Sequence, residues 1–321
     1  MNIISKAKKM GLFGIVKAIL FKFQSAVKSP INRMIKLKSL NKNDYKAKFI
    51  HEGDIEISLP RISVIDALFN RNKNLTRIFD YFSRPKAEIL LRKTIFSLYK
   101  EGYISSNKSI IDIGCWLGDN SLVWAKLLDK ESTVYAVDPS IENLSFGEDL
   151  AKLNSIFNVS WKHAVCSDNP GIPLRFEGNL DHAIFSESNI TNQNIMVSTT
   201  LDKIVNESNH ETIGLLHVDV EGFELKVLRG AETIIDKSRP VITFEQHISK
   251  EDVGTVVSFL KEKNYDIFMI NEVIPECNLD CRNFIAFDSQ KVHPEIGKPD
   301  QMNGRKEGIF YACIGADLIA I

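Results

Sequence analysis

Four short stretches end apolar runs in groups that do chemistry. Asp112 lies in SIIDIGCWLGDNS (109–121), just ahead of Gly114 and Gly118, and Asp138 ends the run in TVYAVDP. His217, Asp219, Glu221 and Glu224 follow one another in LLHVDVEGFE, and Glu245 and His247 close VITFEQH. A positioned carboxylate or imidazole can take a proton from a hydroxyl, which is worth about 10²–10⁴-fold in rate. Strand alternation puts Asp219 with His217 on one side, Val218 with Val220 on the other, and Glu245 with His247 together. Two acids and an imidazole therefore converge above neighbouring strand ends, with His247 as the base and Glu245 or Asp219 orienting it. Glu221 has another use, beside the positive start of the helix that follows it. Asp219, Glu221 and His247 could instead hold a divalent cation that acidifies a hydroxyl, although no ligand spacing here demands one. His163 and His182 read as structural or surface histidines.

The glycine turn joins a buried strand to a helix that Asp119 or Asn120 can cap. Open α/β sheets bind ligands at that end of a parallel strand. Gly114 lets the backbone bend and keeps a Cβ out of a ligand's path, and Gly118 lets the helix start pack closely. A nicotinamide fingerprint needs Gly-x-Gly-x-x-Gly to hold a pyrophosphate. This turn is Gly-x-x-x-Gly with an acid before it, which suits a cation better than phosphates. Asp138 can accept hydrogen bonds from both hydroxyls of a ribose. S-adenosylmethionine carries an ammonium, a sulfonium and a ribose but no phosphate, and it fits this set. The plainer alternatives are a turn that only shapes the chain and an Asp138 that only caps a helix.

These groups need elements to carry them. SIIDIG, TVYAVDP, VSWKHAV, IGLLHVDV and PVITFEQH are short runs rich in β-branched residues. Helical stretches alternate with them: NSLVWAKLLDK, SIENLSFGEDLAKLNS and FELKVLRGAETIID. A helix after PVITFEQH opens on the capping box Ser249-x-x-Asp252. The alternation predicts βαβ units and a mostly parallel sheet. YDIFMI and RNFIAFDS, joined by NEVIPECNLDC without a helix, predict an antiparallel pair that closes it. Upstream, RPKAEILLRKTIFSLYKEGYI reads as a helix ending near Gly102, with Ile89, Leu90, Ile95, Phe96 and Leu98 apolar.

The 321 residues are 44% hydrophobic and 25% charged, enough for a sizeable core. The net charge of −1 hides a split. Residues 1–48 hold twelve Lys or Arg and one acid, leaving +11 there and −12 on the rest. Within that basic arm, Leu12, Val16, Ile19, Phe23 and Ala26 form the stripe of an amphipathic helix over 11–29, with Lys17, Lys22, Gln24, Ser25 and Lys28 opposite and Pro30 ending it. Such a helix docks on its own domain or on a second subunit, or lies on an anionic membrane as a peripheral contact. It is too short to span one, and it lacks the cleavage site of a secretory signal. Five cysteines fit no disulfide framework, so a reducing, cytoplasmic setting is expected. Cys277-x₃-Cys281 has no matching second pair that would make it a metal site. The acidic body and the lack of aromatics among the basic residues argue against a nucleic-acid partner.

Taken in order, the Asp-Ile-Gly turn, the Leu-Asp of VSTTLDKIV, the run HVDVEGFE and the Pro-to-Glu stretch PVITFEQH resemble the FkbM family of S-adenosylmethionine-dependent methyltransferases. The likeness covers roughly residues 108–288. It implies a class I, Rossmann-like, doubly wound α/β fold, and O-methylation of a hydroxyl on a sugar or natural-product scaffold. It implies that Asp112, Gly114, Cys115 and Gly118 hold the methionine end of the cofactor, Asp138 and Pro139 the ribose, and the segment from Val165 to Asp168 the adenine. It places Asp219, Glu221, Glu224 and Glu245 in the family's acidic positions. One departure is His217, where the family has lysine, which puts a group that titrates near neutrality in place of a fixed charge. The expected layout is an amphipathic arm at 1–44, a helical lead-in at 45–105, a methyltransferase domain at 106–290 and an extension at 291–321. The expected activity is O-methylation of a saccharide or glycolipid in cell-surface polymer biosynthesis, at the inner face of the membrane, by a chain that can form homo-oligomers. The rivals are a nicotinamide-dependent sugar oxidoreductase or epimerase, disfavoured by the missing third glycine and the lack of a Tyr-x-x-x-Lys pair, and a non-catalytic binding module on a degenerate cofactor fold.

Overall fold

The computed structural model describes residues 47–50, 55–59, 89–179, 182–187, 195–206, 212–247, 253–270 and 281–291. All of them belong to the unit that begins at Asp44. The segment 11–29, the capping box at 249–252 and the loop at 271–280 lie outside the described residues.

The described elements open with a hairpin of β1 (Ala47–Ile50) and β2 (Glu56–Leu59) and a helix, α1 (Ile89–Lys100). The alternating part follows: β3 (Ser109–Ile113), α2 (Asp119–Ala125), β4 (Val134–Asp138), α3 (Ile141–Leu153) and β5 (Val159–His163). Next come β6 (Val165–Cys166), β7 (Pro173–Asn179), β8 (His182–Glu187), β9 (Ile195–Thr199) and α4 (Leu201–Asn206). The chain ends its described course with β10 (Ile213–Val218), α5 (Glu224–Arg229), α6 (Glu232–Ser238), β11 (Val241–His247), α7 (Val253–Glu262), β12 (Tyr265–Met269) and β13 (Cys281–Asp288).

Seven strands form the main sheet in the order β12-β13-β11-β10-β3-β4-β5. The inner pairs are parallel, and β13 runs antiparallel between β11 and β12. The mostly parallel sheet and the antiparallel last strand are those the alternation predicts. Every residue of β3, β4 and β10 is buried, as in a parallel sheet covered on both faces. On one face Ile110, Val134 and Leu215 pack under α1, α2 and α3 through Leu91, Ile95, Leu98, Leu122, Trp124 and Leu150. On the other, Ile111, Val137, Val218, Ile242 and Phe244 pack under α4 to α7.

Three features differ from the sequence expectation. The lead-in at 45–105, expected to be helical, carries the β1–β2 hairpin ahead of α1. A separate four-stranded sheet, β6-β9-β7-β8, stands between β5 and α4, where the sequence reading placed no strands beyond VSWKHAV. The stretch FELKVLRGAETIID forms two short helices rather than one. It breaks at Gly230, where a Cβ would lie 2.2 Å from the carbonyl oxygen of Ser167, so only glycine fits against that segment.

Candidate active site

Register sets the site. Asp112 pairs with His217 and His217 with Thr243, so β3, β10 and β11 run level at their carboxyl ends, and β11 continues to His247. Two turns leave this edge. The first, Gly114 to Gly118, is tied to β4 by the Gly114 and Cys115 amides, which donate to Val137 O at 2.9 and 3.1 Å. The second begins at Asp219, whose amide donates to Ile113 O at 2.9 Å. They touch at Gly114. Its φ is +76°, and a Cβ there would sit 1.6 Å from the Asp219 carbonyl oxygen. The room beside Gly114 is thus taken by the chain itself, not left for a ligand as expected from sequence. Gly118, at φ +75°, packs on the Trp161 ring, 2.4 Å from where its Cβ would be.

The helix after the first turn is held differently from expectation. The N-cap is Gly118, and no side chain caps it. Asp119 and Asn120 face α1 instead. Arg92 makes an ion pair with Asp119, and its Nε donates to Asn120 Oδ1 at 2.6 Å. Ser121 donates its hydroxyl to Asp112. Asp112 is 1% exposed, so its carboxylate lies beneath the turn rather than at an open mouth. Cys115 is also buried. Burial first, then the Asp138, Asp112 and Asp119 carboxylates, raise its thiol well above the ordinary value and keep it protonated.

Asp138 gathers three N–H donors: Trp116 N at 3.0 Å, Ser140 N at 2.8 Å and Asn143 Nδ2 at 3.2 Å. Ser140, the N-cap of α3, accepts from Asn143 N. Burial nevertheless lifts the Asp138 pKa to about 7, against the lowering by those donors. Pro139 presents its carbonyl to His163 Nε2 at 2.9 Å, and His163 is exposed. Val165 and Cys166 are buried and pair with Ser198 and Thr199, while Asp168 accepts from the Ser167 hydroxyl at 2.9 Å.

At the second turn the acids divide their work. Glu224, 2% exposed, folds back so that Oε1 accepts from Val220 N and Gly222 N at 3.3 and 3.1 Å. It serves the helix start, the use that sequence reasoning gave to Glu221. Glu221 instead meets His247, Oε2 to Nε2 at 3.3 Å. The carboxylate on His247 is therefore that of Glu221, where Glu245 or Asp219 was expected. Glu221 holds φ +53° and Trp116 φ +47°. These are left-handed conformations that non-glycine residues rarely adopt, and such strain gathers at functional sites. Glu245 pairs in register with Asn283, whose buried amide has no hydrogen-bond partner.

His217 is a correction. It is 1% exposed, lies edge-on to Trp124 with centroids 5.2 Å apart, and bonds Thr243 Oγ1 through Nδ1 at 2.9 Å. Burial pushes its pKa down to about 4, so it stays neutral at pH 7 rather than titrating there. Among the described residues no group of three His, Cys, Asp or Glu side chains could hold a metal ion, so the divalent-cation alternative finds no donor set there. Sequence reasoning missed Arg92. Its signal was a lone arginine on an apolar stripe, spaced three, four and seven from Ile95, Phe96 and Tyr99.

The family model described as methyltransferase FkbM domain matches residues 112–267. No curated protein matches the chain. Among solved structures, the methyltransferase FkbM from Methylobacillus flagellatus is similar at 13% identity and TM-score 0.42, over 56% of this chain and 44% of that one. This chain thus spans less than half of that relative's length. A putative methyltransferase from Streptococcus mutans, in complex with SAH, is similar at 13% identity and TM-score 0.38, over 60% and 97%. The ribosomal protein L11 methylase from Lactobacillus delbrueckii subsp. bulgaricus is similar at 12% and 0.39, over 62% and 78%. With the match at 112–267 laid over these strands and turns, those residues form a methyltransferase FkbM domain, and its cofactor is S-adenosylmethionine.

Proposed function

We propose that the protein transfers a methyl group from S-adenosylmethionine to a hydroxyl of a saccharide or glycolipid. The observation that carries this reading is the His247–Glu221 pair, 3.3 Å apart at the strand edge that also bears the glycine turn. Bound there, the cofactor supplies an electrophilic methyl on a sulfonium. The site's residues fit it. Asp138 is a buried carboxylate that three N–H donors leave with a pKa near 7, so it gains from the further donors a ribose offers. Arg92 is already paired with Asp119, and the turn's other carboxylates, Asp112 and Asp138, suit a cation and repel phosphates.

The chain's own part is alignment and one proton. An in-line displacement needs the acceptor oxygen held on the far side of the methyl, and alignment supplies most of the rate. A neutral hydroxyl must also lose its proton. With Nε2–H donating to Glu221, the imidazole lone pair is on Nδ1, and that atom takes the proton. Glu221 fixes the tautomer and stabilises the imidazolium that forms, a division of labour that carboxylate–histidine pairs use elsewhere. Asp219 and Glu245, at the ends of the same strands, bind the acceptor's other hydroxyls.

Calorimetric titration with S-adenosylhomocysteine, beside NAD, tests the cofactor. Asp138→Ala should weaken binding by about 1–3 kcal/mol, the cost of losing charge-assisted hydrogen bonds. Binding of NAD alone overturns the reading. For the acceptor, tritiated S-adenosylmethionine is offered with a panel of saccharides and glycolipids. A methyl ether keeps its label in mild alkali, whereas a methyl ester releases it as methanol. Label lost to alkali would move the chemistry to a carboxylate acceptor.

A further inference from the structure

The first turn of α2 carries no capping side chain at its glycine start, yet Asp119, Asn120 and Ser121 are all buried. Side chains from outside the turn must hold it. Asp112 holds Ser121. The other hold comes from Arg92 of α1, twenty residues before the segment that matches the family model. Arg92 is 4% exposed and Asp119 7%. The guanidinium is planar and grips two successive residues, Asp119 through Nη2 and Asn120 through Nε, as a fixed fork can and an ammonium cannot. Both charges also bear on His217, Asp119 raising its pKa and Arg92 lowering it, so the pair sits against the centre of the site.

We propose that Arg92 is a positioning residue for the cofactor turn. Gripping the first two residues of α2, it fixes the direction in which Gly118 leaves the turn, and with it the backbone from Gly114 onward. It also cancels the Asp119 charge, so that Asp112 and Asp138 set the field that a cationic ligand meets. The lead-in helix is then a working part of the methyltransferase site. This inference rests on the reading that the cofactor binds at the Gly114–Gly118 turn.

The test uses the full-length protein, calorimetry with S-adenosylhomocysteine, and thermal unfolding of the same samples. Arg92→Lys keeps the charge but loses the fork, and should raise the Kd about tenfold, the worth of one charge-assisted hydrogen bond. Arg92→Met with Asp119→Asn removes both buried charges. It should unfold closer to the parent's Tm than Arg92→Met alone, because the two partners leave together, and still bind S-adenosylhomocysteine weakly. Asn120→Ala leaves the ion pair whole and guards against arginine variants that fail to fold. It should weaken binding several-fold. A purely structural role would shift Tm and leave the Kd of the folded protein unchanged, so a parental Kd in these variants overturns the inference. A parent that does not bind S-adenosylhomocysteine overturns the cofactor reading, and this inference falls with it.

Discussion

His247 and Glu221 are 26 positions apart in sequence, and one hydrogen bond joins them. His247→Ala should lower turnover by about 10²–10⁴-fold, and Glu221→Gln by less, while S-adenosylhomocysteine affinity stays near the parent's. An unchanged rate of methyl transfer in His247→Ala would remove it from the mechanism. Two other residues set a pH signature. Asp138 has its pKa raised to about 7 in the fold, and His217 has its pKa lowered to about 4. Between roughly pH 4 and 6.5 the folded protein holds a proton on Asp138 and none on His217, whereas the unfolded chain holds one on histidine and none on aspartate. The two states then bind equal numbers of protons at these sites, so the pair contributes no slope of stability with pH. Each single variant should unmask the other group. Asp138→Asn leaves His217, so stability should fall as pH drops from about 6.5 to 4, because the unfolded state binds the extra proton. His217→Gln leaves Asp138, so stability should fall as pH rises from about 4 to 7. Urea midpoints across that range read both slopes, and parallel curves for the three proteins would refute the coupling. The places of the candidate acids and histidine at strand ends were legible in the sequence. Their partners were not, because Glu221 reaches His247 through a left-handed backbone that no spacing rule foretells.

At the scale of elements, alternation of apolar runs with helical stretches was enough to reveal the main sheet, because buried parallel strands and amphipathic helices leave different periods. The second sheet escaped. PLRFEGN alternates apolar with charged over only four residues, Leu174 to Glu177, and HAIFSE sets Ile184 beside Phe185, too little for a period to stand out. The break between α5 and α6 escaped too, since what packs on Gly230 is the Ser167 carbonyl, more than sixty residues upstream. Gly230→Ala should therefore cost about 1–3 kcal/mol, the usual price of overpacking, read as a fall in Tm. A variant as stable as the parent would show that the two segments part easily. Gly114→Val is a harsher case. Because its side chain would drive into the Asp219 backbone, it should destabilise the fold itself rather than only block the cofactor.

At the scale of the molecule, charge is split between a basic arm and an acidic body. No helix among the described residues is long and apolar enough to cross a membrane. We propose that residues 11–29 attach the protein to an anionic membrane, each basic residue near the surface adding about 1 kcal/mol. Full-length protein should then co-sediment with phosphatidylserine vesicles at low salt and be released at high salt, while a chain lacking residues 1–40 stays in the supernatant with its cofactor affinity intact. If the arm instead covers the acidic body or a second copy, the truncated chain should aggregate or change its elution on size exclusion, and the full chain should ignore vesicles.

The chain has three tryptophans, two of them at the glycine turn and the third on the helix that leaves it. Trp116 lies within it and donates its amide to Asp138. Trp124 is wholly buried on the helix that follows, and the Trp161 ring lies against Gly118. The protein's tryptophan emission therefore comes from the glycine turn and the helix that leaves it. Quenching or a spectral shift on adding a nucleoside is a label-free optical signal from that site, with no tryptophan background from the remainder of the chain.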